Sequence, residues 1–313
     1  MTEIRQLHSP WLLAVWPGMG HVAMGAGYYL IARLKMTLLA ELATRDFFDP
    51  EQVDVRNGLI LPPQPPRSRL FLREDPAAQH DLLVLLSEAQ PPHGRWDFCR
   101  RVLEFAKRLG TSRILTLAAI ASDMDPEAEP RIFGIATNAD CLQELTELGV
   151  TAMEDGRISG LNGLVLAAAS DAGIPGIGLL GEIPRVFSQF PFPAASLATL
   201  RVLTSLLQLD VDLTELERQA ETVQTQLANL LLNLRQQLGE DESTNTMDEI
   251  ERTTSDQPAR LTNDQRRSIE ALFEQARADR SHAFELKNQL DRLGVFGDFE
   301  DRFLDLFRAS ESS

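Results

Sequence analysis

Apolar residues recur in two patterns along this chain, and the patterns predict alternating strands and helices. Short apolar runs bounded by turn residues predict buried strands, and they cover Trp11–Trp16, Asp81–Leu86, Arg113–Ala119, Ile132–Ala136 and Ile174–Leu180. Longer apolar-rich segments predict helices, and they cover Val22–Ala43, Trp96–Leu109, Ala139–Leu148 and Leu161–Ala172. Strands that alternate with helices predict a layered α/β domain.

A polar break after the first predicted helix precedes a predicted edge hairpin. Val53–Leu61 and Arg69–Arg73 alternate apolar and polar residues, as the strands of a hairpin at a sheet edge do. The run Pro62–Pro66 between them is stiff and poor in amide donors, which suits an exposed connection. We therefore expect both segments at one edge of the sheet.

The chain beyond residue 185 carries two candidate interaction surfaces. The loop Arg185–Ser196 is rich in phenylalanine and proline, and such a loop, when exposed, marks an interface. Helix is predicted from Ala194 to about Gly239. Between Leu206 and Leu234 its apolar steps alternate three and four, which is typical of a coiled-coil seam or of a helix in a neighbour's groove. The candidate interface residues are Phe187, Phe190, Phe192, Leu213, Leu216, Val223 and Leu227.

Composition divides the chain into three parts. Residues 1–238 form the α/β domain with its long final helix, 239–261 form an acidic linker without periodicity, and 262–313 form a helical hairpin. Thr262 and Gln265 fit a capping box at the start of this hairpin. Because a short hairpin cannot bury its apolar face alone, we expect it to dock on the main domain or on a partner chain.

Polar residues gather at the predicted strand ends, where ligands of open α/β sheets bind. The candidate pocket rim comprises Gly18, Gly20, His21, Glu88, Asn138, Asn162, Glu182 and Arg185. We expect Glu182 and Arg185 to pair with each other or with neighbouring loops, and a ligand role is the alternative.

Known ligand motifs are missing from these strand ends. The glycines from Gly18 to Gly27 fit neither a dinucleotide-binding motif nor a P-loop. They indicate close helix packing, with an anion at the helix N-terminus as the alternative. The acidic run Ser122–Pro130 fits a solvated loop better than a divalent-cation site. No complete set of catalytic residues emerges, and we expect neither a cofactor nor a metal ion.

Charge and cysteine content narrow the functional classes. A net charge of -16 disfavours nucleic acid and anionic membranes as partners, because both would be repelled. The first residues predict no signal peptide, and no run approaches the roughly 18 apolar residues of a membrane span. Cys99 and Cys141 form no CxxC pair, so we expect a protein of the reducing cytoplasm in which both residues are plain buried thiols.

Four stretches resemble the proteasome assembly chaperone 2 family, in that family's order. The central one, beginning at Gly156, is GRISGLNGLVLAAASDAGIPGIGLLGEIP. The others are PGMGHVAMGAGYYLIARLKMTLLAEL with RDFFDP (Pro17–Pro50), HDLLVLLSEAQPP (His80–Pro92) and FGIATNADCLQELTELGV (Phe133–Val150). The resemblance covers the predicted α/β domain. His21 departs from the pattern, since the family usually has a small polar residue there, often Asn.

The resemblance implies a three-layer αβα sandwich, a fold that similar proteins share with nucleoside phosphorylases. It also implies a chaperone-like, homo-oligomeric binding protein, as a trimer or larger ring, that contacts proteasome subunits. Archaeal relatives dock on the proteasome through a C-terminal hydrophobic-Tyr-any motif, and because this sequence ends in Arg308–Ser313 we expect that docking mode to be absent. Some similar proteins are grouped with ATP-grasp ligases, so an uncharacterised enzyme or metabolite-binding protein is the alternative function. Fold kinship alone does not transfer chemistry.

Overall fold

The computed structural model describes residues 7–50, 53–74, 80–240 and 261–307 of the chain. The strands in these ranges are Trp11–Val15 (β1), Thr37–Leu42 (β2), Val55–Arg56 (β3), Leu59–Ile60 (β4), Ser68–Arg73 (β5), Leu82–Ser87 (β6), Arg113–Ser122 (β7), Ile132–Ala136 (β8), Thr151–Ala152 (β9) and Gly176–Pro184 (β10). The α-helices are Val22–Arg33 (α1), Arg95–Arg108 (α2), Ala139–Glu147 (α3), Leu161–Asp171 (α4), Pro193–Leu206 (α5), Thr214–Glu240 (α6), Asn263–Ala278 (α7), Ala283–Arg292 (α8) and Phe296–Asp305 (α9). Residues 241–260, which hold most of the predicted acidic linker, lie outside the described residues.

Eight strands form one mixed sheet in the order β2-β5-β6-β1-β7-β10-β8-β9. The central strands β6, β1, β7 and β10 run parallel, and β5 and β8 flank them in antiparallel orientation. β1 is apolar and buried throughout, because strands lie on both sides of it and helices cover both faces. The carboxyl ends of the parallel strands define one edge of the sheet, called the carboxyl edge below.

Helices cover both faces of the sheet. One face packs on α1 and α5 around Tyr29 and Leu200, and the other packs on α2 and α4 around Phe98 and Val165. A Cβ atom on Gly25 of α1 would lie only 2.8 Å from the Ser196 hydroxyl oxygen of α5, so the small residue is what permits this close approach. The structure therefore confirms the three-layer αβα sandwich with a C-terminal helical extension.

The predicted helix Val22–Ala43 is wrong in its second half, which forms β2. Lys35 adopts a left-handed backbone conformation with φ of 49°. Its amide donates to the Ala32 carbonyl, and the Met36 amide donates to the Ile31 carbonyl. This Schellman arrangement ends α1, and the chain then pairs with β5 in antiparallel orientation.

The predicted helix from residue 194 to 239 is interrupted between α5 and α6. Gln208 adopts a left-handed conformation with φ of 52°, and the amides of Gln208 and Leu209 donate to carbonyls in the last turn of α5. The Asp212 carboxylate then accepts from the Thr214 amide at 3.0 Å, which favours the start of α6. The apolar steps that begin at Leu206 therefore do not form one continuous seam.

The predicted edge hairpin is wrong in its pairing. In the described part of the chain, β3 and β4 pair with each other, whereas β5 pairs with β2 on one side and β6 on the other. The prolines in the run Pro62–Pro66 lack amide donors and cannot extend a ladder. Because β2 ends and β5 begins at the carboxyl edge, the β3–β4 hairpin lies at that edge.

The helices α7 to α9 dock on α1 and on the neighbouring part of the sheet. The Tyr28 ring of α1 meets Phe296 and Phe303 edge-on, with ring centroids 5.1 and 5.7 Å apart. Phe307 meets Phe71 of β5 with centroids 6.0 Å apart. These aromatic contacts bury apolar area that the three helices could not bury by themselves.

Candidate functional site

A crevice opens at the carboxyl edge where the chain leaves adjacent strands toward opposite faces. β1 leads to α1 on one face, and β6 leads to α2 on the other. Loops that diverge in this way leave a gap above the strand ends, the usual ligand position in open α/β sheets. The gap here has a volume of about 640 Å³ and is lined by both loops, by β7 and by the start of α4.

The loop after β1 forms one wall of the crevice and is hydrogen-bonded to the loop after β10. Gly20 and His21 both have positive φ, 61° and 50°, which turns the chain sharply into α1. The Gly20 amide donates to the Ser188 carbonyl at 2.8 Å, and the Phe192 amide donates to the Gly20 carbonyl at 2.9 Å. The loop after β10 therefore holds the loop after β1 in place.

Gln90, in the loop after β6, ties three parts of the crevice together. Its Nε2 donates to the Pro17 carbonyl at 2.8 Å, and its Oε1 accepts from the Leu161 amide at 3.2 Å. Gly160 lies beside this amide with φ of 80°, and a Cβ there would lie 3.0 Å from the Gln90 Oε1. The sequence patterns did not reveal this bridging role, because Gln90 and Leu161 are far apart in the chain.

Glu88 lines the crevice and is half-buried. Its carboxylate accepts from the Arg67 amide at 2.7 Å and from the Arg69 guanidinium at 2.9 Å. Burial nevertheless raises the pKa of Glu88 to about 7, because loss of solvation outweighs these two donors.

Asn162, in the first turn of α4, is the most buried polar side chain that lines the crevice, only 8% exposed. Its Oδ1 has no hydrogen-bond partner among the described residues. Two guanidinium groups, from Arg95 and Arg157, also line the crevice. Arg95 donates its Nε to the Pro91 carbonyl at 3.0 Å. The crevice thus offers hydrogen-bond donors and positive charge above a floor of small apolar side chains.

A second cavity, of about 380 Å³, lies between α1 and the C-terminal helices. Glu88 lines both cavities, and Gly20 and His21 line only this one. Glu300 of α9 faces this cavity and accepts a hydrogen bond from the Tyr28 hydroxyl. Of the predicted pocket rim, the structure therefore gathers Gly18, Glu88 and Asn162 around the crevice, and Gly20 and His21 beside it.

The other predicted rim residues lie elsewhere. Asn138 is at the opposite edge of the sheet, because β8 runs antiparallel to β10, and its side chain caps α3 by accepting from the Cys141 amide at 2.9 Å. Arg185 lies on the loop after β10 and pairs with Asp123 at 3.4 Å, with both side chains exposed. Neither residue contributes to the crevice.

Glu182 lies within β10, because that strand continues past the predicted end at Leu180. Its carboxylate accepts two hydrogen bonds from Arg131, at 2.8 and 2.6 Å. These hydrogen bonds lower the pKa of Glu182 to about 2. Glu182 therefore pairs with Arg131 in the loop before β8, as Arg185 pairs with Asp123 in the loop after β7, so both residues pair with neighbouring loops rather than with each other.

The predicted interface residues divide by exposure. Phe187 and Phe192, on the loop after β10, and Leu216, on α6, are buried within this chain and are not available to a partner. Phe190 is 53% exposed. The remaining three, all half-buried, are Leu213, Val223 and Leu227.

Three further observations concern the described residues. No group of three or more His, Cys, Asp or Glu side chains among them is placed to hold a metal ion. Within the same residues, no helix is long and apolar enough to cross a membrane. Cys99 and Cys141 are free and buried, and burial raises the pKa of the Cys99 thiol to about 12.

The mixed sheet with helices on both faces places this protein among the open-sheet α/β proteins. Residues 12–231 match the family model described as the PAC2 family, so the chain belongs to that family. The predicted resemblance is thereby confirmed, and helices α7 to α9 lie beyond the matched residues.

Both a sequence relative and solved structures are similar to this chain. An uncharacterized protein of Methanocaldococcus jannaschii is 27% identical over 222 residues, 70% of this chain and 82% of that protein. The archaeal proteasome activator PbaB of Pyrococcus furiosus has a TM-score of 0.62 and 25% identity, covering 72% of this chain and 94% of PbaB. A proteasome-assembly chaperone homologue of Mycobacterium tuberculosis shares the fold, with a TM-score of 0.61, 22% identity, and coverage of 70% and 94%.

Proposed function

We propose that this PAC2-family protein is a cytoplasmic, chaperone-like protein that acts by binding other protein chains rather than by catalysis. We further propose that it forms homo-oligomers and that the carboxyl edge of its sheet is the binding surface. The observation that carries the proposal is a concentration of exposed apolar side chains at that edge.

Two exposed apolar surfaces lie at the carboxyl edge. On the β3–β4 hairpin, Leu59 and Ile60 are 70% and 72% exposed, and two valines beside them are exposed as well. An edge patch on the hydrogen-bonded loops after β1 and β10 comprises Met19, Val186 and Phe190, each at least 44% exposed. Apolar area concentrated in this way marks protein-binding surfaces.

A second copy of the chain is the first partner that we propose. A hairpin that pairs with nothing else in the described chain can reach a neighbouring subunit without changing the rest of the fold. Its charges, Asp54 and Arg56, are of opposite sign, so two copies can meet without the repulsion that the net charge of -16 imposes elsewhere. A self-complementary patch of this kind suits closed symmetric assemblies.

Proteasome subunits are the second partner that we propose. The support is the activity named for PbaB, a proteasome activator, together with the family match. Copurification from the source organism tests this part of the proposal: proteasome subunits retained with the protein would support it, and their absence from stoichiometric complexes would contradict it.

Light scattering coupled to size exclusion tests self-association. The wild-type protein is expected to have the mass of an oligomer, and the double variant Leu59→Ser/Ile60→Ser is expected to shift to the monomer. Leu142→Ser is the matched control, because Leu142 is an exposed leucine on α3, which begins at the opposite edge. A monomeric wild type, or dissociation caused equally by the control, would contradict the proposal.

A further inference from the structure

We propose that helices α7 to α9 cover a docking surface of the PAC2 domain, residues 12–231, that also binds a helix of another protein. The partner helix carries phenylalanine and acidic side chains at the spacing found in α9. The surface consists of residues of α1 and β5, not of the exposed apolar residues at the carboxyl edge. The inference therefore does not depend on the proposed self-association.

The surface belongs to the PAC2 domain, whereas the helices that cover it do not. Tyr28 of α1 and Phe71 of β5 lie within the matched residues 12–231, and α7 begins only at Asn263. Residues 241–260 separate these three helices from α6 along the chain. The helices are therefore held on the surface by side-chain contacts, and a helix of another chain can make the same contacts.

Phenylalanine side chains of α9 and of the turn after it provide the apolar contacts. Phe296 and Phe303 meet the Tyr28 ring edge-on, with ring centroids 5.1 and 5.7 Å away. Phe307 meets Phe71 with ring centroids 6.0 Å apart. The three phenylalanines follow one another at helical spacing, so they lie on one face. A partner helix with apolar anchors at these positions fits the same surface.

Charge complementarity gives the partner helix its sign. Where the two parts meet, the PAC2 domain contributes cations and the covering helices contribute carboxylates. Arg69 and Arg67 both pair with Asp301 of α9, Arg67 at 3.4 Å, and Lys35 pairs with Asp279 at 3.1 Å. Cations at this surface favour an acidic helix over a basic one, because like charges at an interface repel.

The contact between the PAC2 domain and the covering helices is incompletely packed. A cavity of about 380 Å³ remains between α1 and these helices. Gln219 and Asn288 line it, and the side-chain oxygen of each has no hydrogen-bond partner among the described residues. Glu300 also lines it, and loss of solvation raises the pKa of its carboxyl group. Because cores are close-packed and unpaired polar atoms cost stability, this contact resembles an interface between domains more than a core.

The covalent connection between α6 and α7 favours the chain's own helices over a partner. A tether of this kind holds a segment near its surface at an effective concentration on the order of millimolar. A helix of another protein therefore binds weakly while the connection is intact and more tightly once it is cut.

Fluorescence anisotropy with a labelled peptide of residues 294–307 tests the inference, because this peptide carries the α9 pattern. The protein is the full-length chain with a specific protease site inserted within residues 241–260, titrated before and after cleavage with both parts present. We expect the peptide to bind, and cleavage to strengthen its binding at least tenfold, because the cut removes the tether's effective concentration. No binding after cleavage, or binding that cleavage leaves unchanged, would overturn the inference.

Variants of the peptide test recognition without altering the protein. Asp301→Lys and Phe303→Ala are each expected to weaken binding about tenfold or more, since one reverses a paired charge and the other removes a buried anchor. Asp298→Lys is the matched control, because Asp298 is an exposed residue of the same helix. Equal losses from the two lysine variants, or unchanged binding of the Phe303→Ala peptide, would contradict the proposed contacts.

Light scattering distinguishes a different occupant, the α9 of a second copy. We expect the peptide to leave the mass of the intact protein unchanged. Conversion of an oligomer into monomers by the peptide, and not by its Phe303→Ala variant, would assign the surface to a second copy. That result would overturn the proposal of another protein as the partner.

Discussion

A glutamate lies at the end of β6 and another at the end of β10, but the pKa values of the two carboxyl groups are shifted in opposite directions. At the end of β10, Glu182 is held by two hydrogen bonds from Arg131, and its pKa falls to about 2. At the end of β6, burial raises the pKa of Glu88 to about 7 despite its ion pair with Arg69. The difference shows that position at a strand end does not define a site. Glu182 is fully satisfied by its own chain, whereas Glu88 lies between two cavities.

The largest expected effect comes from removing the cation at the β6 end. Arg69 is 1% exposed and pairs with both Glu88 and Asp301, so Arg69→Gln removes the counter-charge of two carboxylates, of which Glu88 is half-buried. Because the Glu88 carboxyl can take up a proton, we expect a loss of about 3 kcal/mol in the free energy of unfolding, the lower end of the cost of breaking a buried pair, measured by urea denaturation. Arg67→Gln is the control, because its longer contact to Asp301, 3.4 Å, is partly exposed. Equal small losses in both variants would show that Arg69 contributes no more to stability than the partly exposed Arg67 does.

Glu182→Gln tests the β10 end. We expect a loss of about 1 to 3 kcal/mol at neutral pH, because one buried charge-assisted hydrogen-bond pair is lost while the exposed Arg131 stays solvated. The folded-state pKa lies below the ordinary value of 4.5, so this contribution is complete above pH 4.5 and declines as pH falls toward 2. The difference between wild type and variant should therefore shrink in acid. Glu129→Gln, in the exposed pair with Arg201, is the matched control and should cost less at neutral pH.

Glu88→Gln is expected to change the pH dependence of stability in a different window. Because the folded-state pKa is raised from 4.5 to about 7, the folded protein binds more protons than the unfolded chain between those values. Wild-type stability should fall as pH rises through this window, and the variant should lose that part of the slope. Urea midpoints from pH 4.5 to 7.5 measure it, and parallel slopes would contradict the assignment.

Arg185→Gln should have the smallest effect. Arg185 and Asp123 are 67% and 92% exposed and 3.4 Å apart, and exposed pairs contribute about 0 to 1 kcal/mol. Thermal melts should differ little from wild type. A loss comparable to that of Glu182→Gln would mean that the loop after β10 depends on this pair.

Sequence patterns predicted helix ends well where glycine marks them. Gly110, Gly149 and Gly173 all have positive φ at the predicted ends of α2, α3 and α4. Two helices were predicted too long because Lys35 and Gln208, rather than glycines, adopt the left-handed conformation that ends them. A residue with a side chain adopts that conformation at an energetic cost, so the sequence does not signal it. In both places hydrogen bonds to the preceding turn form the same Schellman arrangement with a residue that is not the usual signal.

The site was less predictable than the fold because its pairings are long-range. Glu182 and Arg131 are 51 positions apart, and Gln90 and Leu161 are 71 apart. Both pairs form only after the strands take their places in the sheet. Asn138 was misplaced for a related reason: its apolar strand pattern does not show whether the strand runs parallel or antiparallel to its neighbour.

The central claim is that the carboxyl edge is the binding edge of this protein, and hydrogen–deuterium exchange at high and low protein concentration tests it most directly. At high concentration, we expect slower amide exchange in the β3–β4 hairpin and in the loop around Phe190, the two exposed apolar surfaces at that edge. Peptides from α3, including Leu142, should exchange at the same rate at both concentrations. Equal exchange of the hairpin and the Phe190 loop at both concentrations, or protection confined to α3, would contradict the claim.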